Sequence, residues 1–102
     1  MTLIDEIKRA YPHPIRAKDA TPDKQFSCYC VGGALCQFSK IGPGLYGFPA
    51  FWQIAETLCG LNRHLSQNVA ESFAWEIIGA NDEGDFDSAW KHAEEALAWR
   101  PT

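Results

Sequence analysis

Val69-Ala70-Glu71-Ser72-Phe73-Ala74-Trp75-Glu76-Ile77-Ile78 is the stretch that sets the fold class of this chain. Val69, Ala70, Phe73, Ala74, Ile77 and Ile78 recur at the spacing of an amphipathic helix and cover about half its circumference. A stripe that wide needs neighbours on several sides, so this segment is expected to be the central helix. Asn62 or Ser66 can cap its start, and Gly79-Ala80-Asn81-Asp82 is expected to end it.

The same period continues on both sides. Asp85 caps a last helix in which Phe86, Trp90, Ala93 and Leu97 form a narrow stripe, with Lys91, Glu94 and Glu95 turned elsewhere. Upstream, Pro49 stands where a first helical residue should. Phe51, Ile54, Ala55 and Leu58 then form an apolar face opposite Gln53, Glu56 and Thr57, with Cys59 flanking it as a core residue. Gly60 followed by Leu61 has the pattern of a Schellman ending. The loop Ser39-Lys40-Ile41-Gly42-Pro43-Gly44-Leu45-Tyr46-Gly47 is too rich in Gly and Pro to be helical. Before it, a helix from Cys30 places Val31, Leu35 and Phe38 on one stripe with Ala34 beside them, and Ser27 is its expected N-cap. Pro12, Pro14 and Pro22 mark a long connection. The first helix precedes it, with a Thr2/Asp5 capping pattern and Leu3, Ile4, Ile7 and Tyr11 on one side. The expectation is an all-α fold, a compact bundle of about five short helices, with residues 1–102 as one domain. A small hairpin near residues 25–30 is the one candidate for extended structure.

Composition agrees with a small globular domain. A chain of 102 residues with 46% hydrophobic and 22% charged residues is ordinary for a folded protein. At this size it buries roughly 65% of its unfolded surface. Aromatic residues reach 13%, and such rings supply burial that a small core otherwise lacks. No apolar run approaches a membrane span, and Asp5, Glu6, Lys8 and Arg9 around the first apolar residues do not make a signal peptide. The expected setting is cytoplasmic, where thiols stay reduced and the four cysteines need not pair. The net charge is −4, and residues 71–95 carry eight acids against the single base Lys91. Nucleic-acid binding needs a basic stripe, so neither nucleic acid nor membrane is the expected partner.

Chemistry concentrates in Cys28-Tyr29-Cys30-Val31-Gly32-Gly33-Ala34-Leu35-Cys36. A helix start lowers a thiol's pKa through free N–H groups and the dipole, whereas Gly and Ala let another backbone come close. A reactive site and a tight structural joint are both consistent with this segment. In the first reading Cys30 or Cys28 is a nucleophile, His64 or His92 its base, and Asn81 or Asp82 orients the imidazole. In the second, Cys30 and Gly33 belong to a packed joint while Asn81 and Asp82 shape a helix ending through local hydrogen bonds.

Metal sites fit poorly. Cys28, Cys30 and Cys36, with Cys59 and His64 later, do not reproduce paired Cys-x-x-Cys spacing. An EF-hand register through Gly84 would put Gly79 and Trp90 at ligand positions. No cofactor or metal is therefore expected. Gly32-Gly33 could hold an anion, but no Lys or Thr follows as in phosphate loops.

Cys30-Val31-Gly32-Gly33-Ala34-Leu35, Phe48-Pro49 before an amphipathic helix ending Leu58-Cys59-Gly60-Leu61, then Asn81-Asp82, Gly84 and Phe86 before a last helix occur in a distinctive order. That order resembles a family of small bacterial and phage proteins of unknown function. They carry a Cys-x-x-Gly-Ala-Leu-like segment and a downstream Asn-Asp pair. The resemblance spans about residues 28–97 and implies a compact helical fold with no agreed activity. Cys28, Gly32 and the Pro-rich segment lie outside the pattern.

The function expected from these residues is non-catalytic binding of a protein partner or small ligand, in an accessory protein of a bacterium, phage or mobile element. Tyr46, His92 and Trp99 are the expected contact residues. Self-association through the C-terminal helix is one route. The alternative is a cysteine-dependent hydrolase or transferase using Cys30 with His64 or His92 and Asn81.

Overall fold

A computed structural model describes residues 2–19, 29–39 and 49–101. Five α-helices appear among them: α1 (Leu3–Ala10), α2 (Val31–Ser39), α3 (Phe51–Leu61), α4 (Gln67–Asp82) and α5 (Phe86–Ala98), with a short 3-10 turn at Ala17–Asp19 and no strand. The expected Ser27 cap and the hairpin near residues 25–30 lie largely outside the described residues. So do Cys28, Phe48 and the loop bearing Tyr46. The fold is an all-α bundle, and no described helix is long and apolar enough to cross a membrane.

Local chemistry sets most helix starts. Thr2 and Asp5 form a reciprocal capping box on α1, Ser66 Oγ accepts from Val69 N at 3.3 Å on α4, and Asp85 accepts from Ser88 N at 3.2 Å on α5. Pro49 is not the first helical residue. Ala50 takes the N-cap position of α3, and Gln53 Oε1 reaches back 2.7 Å to its N–H, supplying the half of a capping box that an alanine permits.

Helix ends depart further from expectation. Gly60 does not stop α3, which runs through it to Leu61 and ends at Asn62 with an extended backbone. The Schellman ending is instead at the α4–α5 corner. There Gly84 has φ +81°, Asp85 N donates to Ala80 O at 2.9 Å, and Gly84 N donates to Asn81 O at 3.0 Å. The end of α4 itself falls at Asp82, within the expected Gly79-Ala80-Asn81-Asp82 stretch.

The core joins all five helices. Ile4 and Ile7 meet Val31, Ala34, Leu35 and Cys36 of α2, Ile54, Ala55 and Leu58 of α3, Ala70, Ala74 and Ile77 of α4, and Ala89, Trp90, Ala93 and Ala96 of α5. The helix with the wide stripe, α4, packs on both α3 and α5 as its pattern requires. Its alanines, with those of α5, let the two axes approach closely. Three side chains leave their expected faces. Phe38 is 36% exposed, although it shares a helical stripe with Val31 and Leu35. Thr57, placed with the polar residues of α3, is fully buried. Its hydroxyl donates to Gln53 O at 2.9 Å and lies 3.2 Å from Cys36 Sγ, which satisfies it without water. Cys59 is only half-buried against the core.

Candidate functional site

The cysteine joint is built from α2 and the end of α4. Cys30 takes the N-cap position of α2: its carbonyl accepts from Ala34 N at 2.9 Å and its sulfur from Gly33 N at 3.2 Å. Sulfur here does the work that Ser or Asp oxygen does at ordinary caps. Gly32 faces α3 so closely that a Cβ would overlap Ile54 Cδ1 and lie 3.0 Å from Ile54 Cγ1. A side chain at this position would force the Ile54 side chain of α3 to shift, so glycine here lets α2 and α3 pack together.

Asn81 completes the joint from the last turn of α4. Its Oδ1 accepts from Val31 N at 3.0 Å, and its Nδ2 donates to Ile15 O at 3.1 Å. One buried carboxamide therefore caps α2 from another helix and ties down the segment after α1. It does not bond its own neighbours, as a turn-forming Asn would. Asp82 is exposed, and its side chain makes no hydrogen bond or ion pair among the described residues, so the two side chains of the Asn-Asp pair do not act as a unit.

These contacts decide what Cys30 can do. Burial pushes its thiol up to about 11, outweighing the lowering effect of the Gly33 N–H. The residue retains some exposure, but its sulfur is desolvated. Cys36 and Cys59 are also raised, chiefly by burial. An activated thiolate needs the opposite shift.

The alternative triad is not assembled either. Asn81 stands beside the start of α2, whereas His64 precedes the other end of α4, and the intervening helix spans about 21 Å at 1.5 Å per residue. His92 sits on α5 with Nδ1 covered, 3.3 Å from Glu76 Oε2 and 4.0 Å from Glu95 Oε2, without a well-aligned hydrogen bond. No group of three His, Cys, Asp or Glu among the described residues could hold a metal ion.

Trp99 is not a free aromatic anchor. It is half-buried against the core, and its carbonyl accepts from Asn62 Nδ2 at 3.0 Å and from Arg100 Nη1 at 2.7 Å. Asn62 also donates to Ala96 O at 2.9 Å and accepts from His64 N at 3.1 Å, which locks the end of α3 onto the end of α5. Tyr46 lies outside the described residues.

The exposed aromatics are elsewhere. Trp75 is 56% and Trp52 48% exposed. Trp75 stacks on Phe51 with ring centroids 4.5 Å apart and planes 18° from parallel, which joins α3 to α4 at the surface. The sequence holds one signal for this: Trp75 and Trp52 fall outside the apolar stripes of their own helices.

No family model, curated protein or solved structure matches this chain. The functional reading therefore rests on the geometry.

Proposed function

We propose that this protein is a non-catalytic protein-binding module whose docking anchor is Trp75, backed by Phe51, with Trp52, next to Phe51 in the chain, as a second exposed ring. The observation that carries this is an indole exposed over half its surface yet held in one orientation by stacking. Exposed rings fixed before binding lose little freedom when a partner covers them. Each tryptophan has a glutamate four residues away on its own helix, Glu56 after Trp52 and Glu71 before Trp75. The fitting partner is a protein segment that sets an apolar side chain on the rings and Lys or Arg against the carboxylates. In this reading Trp99 and His92 stabilise the α5 side and make no partner contact. The chain acts in the cytoplasm as an accessory protein of a bacterium, phage or mobile element, and nucleic acid is not its ligand.

A photo-crosslinking amino acid at exposed Ser72, one turn before Trp75 on α4, compared with the same probe at exposed Asp87, tests the proposal in cells. The expected result is a discrete crosslinked species from position 72 that Trp75→Ala abolishes. A crosslink to a second copy would identify self-association through this face. Equal smears from both positions would refute a specific interface.

A further inference from the structure

Two adjoining depressions lie at the end of the bundle where α3 and α5 terminate. One, of about 450 Å³, runs between α1 and α5 and is lined by Leu3, Ile4, Leu61, Leu97 and Ala98, with Glu94 as its charged member. The other, of about 370 Å³, gathers Arg63, His64 and Arg100 around Asn62. Leu61 and Leu97 line both, so the apolar trough and the basic pocket share a wall.

We infer that this paired site binds a single-chain amphiphile with an anionic head, such as a medium-chain carboxylate, its head at Arg63 and Arg100 and its tail in the trough.

Charge complementarity selects that occupant. The chain has a net charge of −4, yet two of its four arginines and one of its three histidines meet at this pocket. Among the described residues no carboxylate lies within ion-pair distance of Arg63 or Arg100. Arg100 is held in place by Nη1, which donates to Trp99 O at 2.7 Å and lies 3.4 Å from Asn62 Oδ1. That leaves the other guanidinium nitrogens for a ligand, in the planar arrangement that suits a carboxylate. Orientation follows from the order of residues at the end of α5. Glu94 stands one turn before Leu97 and Ala98, about 5–6 Å along the axis at 1.5 Å per residue, and Arg100 lies beyond the helix, past the extended C-cap Trp99. The acid lies at the tail end and the cations at the head end, so a reversed ligand would set like charges together. Both volumes fall in the range of small-molecule sites.

Titration of the full chain labelled with ¹⁵N at low salt tests this, with octanoate below its micelle concentration, acetate and octan-1-ol as probes. The expected result is saturable shifts at Leu61, Arg63, His64, Leu97, Ala98 and Arg100, with octanoate at least about 10-fold tighter than acetate or octan-1-ol. Arg63 is exposed, so Arg63→Gln should leave the fold intact. It should weaken octanoate about 3- to 10-fold and leave octan-1-ol unchanged. Added salt should weaken octanoate alone. Glu94→Gln should leave octanoate binding equal or tighter, and Trp75→Ala should not alter it, which separates this site from the protein-docking face. Equal binding of octan-1-ol and octanoate would overturn the proposal, as would equal binding of acetate. Binding of anionic phospholipid vesicles without any saturable octanoate shift would overturn it in favour of a membrane surface.

Discussion

Replacing Asn81 with alanine removes one acceptor and one donor that join three parts of the chain. The Val31 N–H loses its partner at the start of α2, where a helix has none of its own, and Val31 is fully buried. A buried donor left unpaired costs about 1–3 kcal/mol. The carbonyl of Ile15 is only partly buried and can recover water, so its loss adds about 0.5–1.5 kcal/mol. Together Asn81→Ala should destabilise the fold by about 1.5–4.5 kcal/mol, a large share of the roughly 5–15 kcal/mol expected for a small domain. Urea unfolding followed by circular dichroism reads this directly, with the midpoint falling and the slope unchanged. Hydrogen exchange at the Val31 amide tests the cause, since its protection should drop more than that of α5 amides. A loss below about 1 kcal/mol, or unchanged Val31 protection, would refute the remote-cap account.

The thiol of Cys30 should alkylate slowly in the native state at neutral pH and accelerate only as pH climbs towards about 11; rapid reaction at pH 7 would restore the nucleophile reading. Because its folded pKa is raised from 9.0, the stability tied to the neutral thiol is complete below about pH 9 and is lost as pH rises through about 11, by an amount on the order of 2–3 kcal/mol. Gly32→Ala should destabilise by about 1–3 kcal/mol in thermal melts, because the buried Ile54 side chain must shift within a packed core to make room, whereas Gly79→Ala, with nothing within 4 Å, should stabilise by about 0.5–1 kcal/mol. Equal effects at the two glycines would contradict the close approach of α2 to α3. Gly84→Ala forces a Cβ onto a φ of +81° and should cost about 1–2 kcal/mol by the same measurement.

The helices themselves were legible in the residues. Caps at Thr2, Ser66 and Asp85 and the stripes of α1, α3, α4 and α5 depend on neighbours within four positions, and such interactions act wherever the rest of the chain goes. Termination was less legible. Gly60 precedes the hydrophobic residue suited to a Schellman turn and Gly84 precedes a charged one, yet only Gly84 has the backbone for the turn, while α3 runs through Gly60 and Asn62 bonds to carbonyls at the end of α5.

What the sequence alone determined is therefore the five α-helices among the described residues, and the side of most of them that turns inward. What the tertiary structure decided is how far each neighbour reaches, and the chemistry followed from that. Asn81 finds partners 50 and 66 positions away, the hydroxyl of buried Thr57 meets a cysteine of another helix, and Trp75 stays exposed while stacking on Phe51 of α3. The character of Cys30 was settled in the same way. A helix start favours a thiolate, but desolvation by packed neighbours opposes it more strongly, and desolvation belongs to the assembled bundle rather than to any local run of residues.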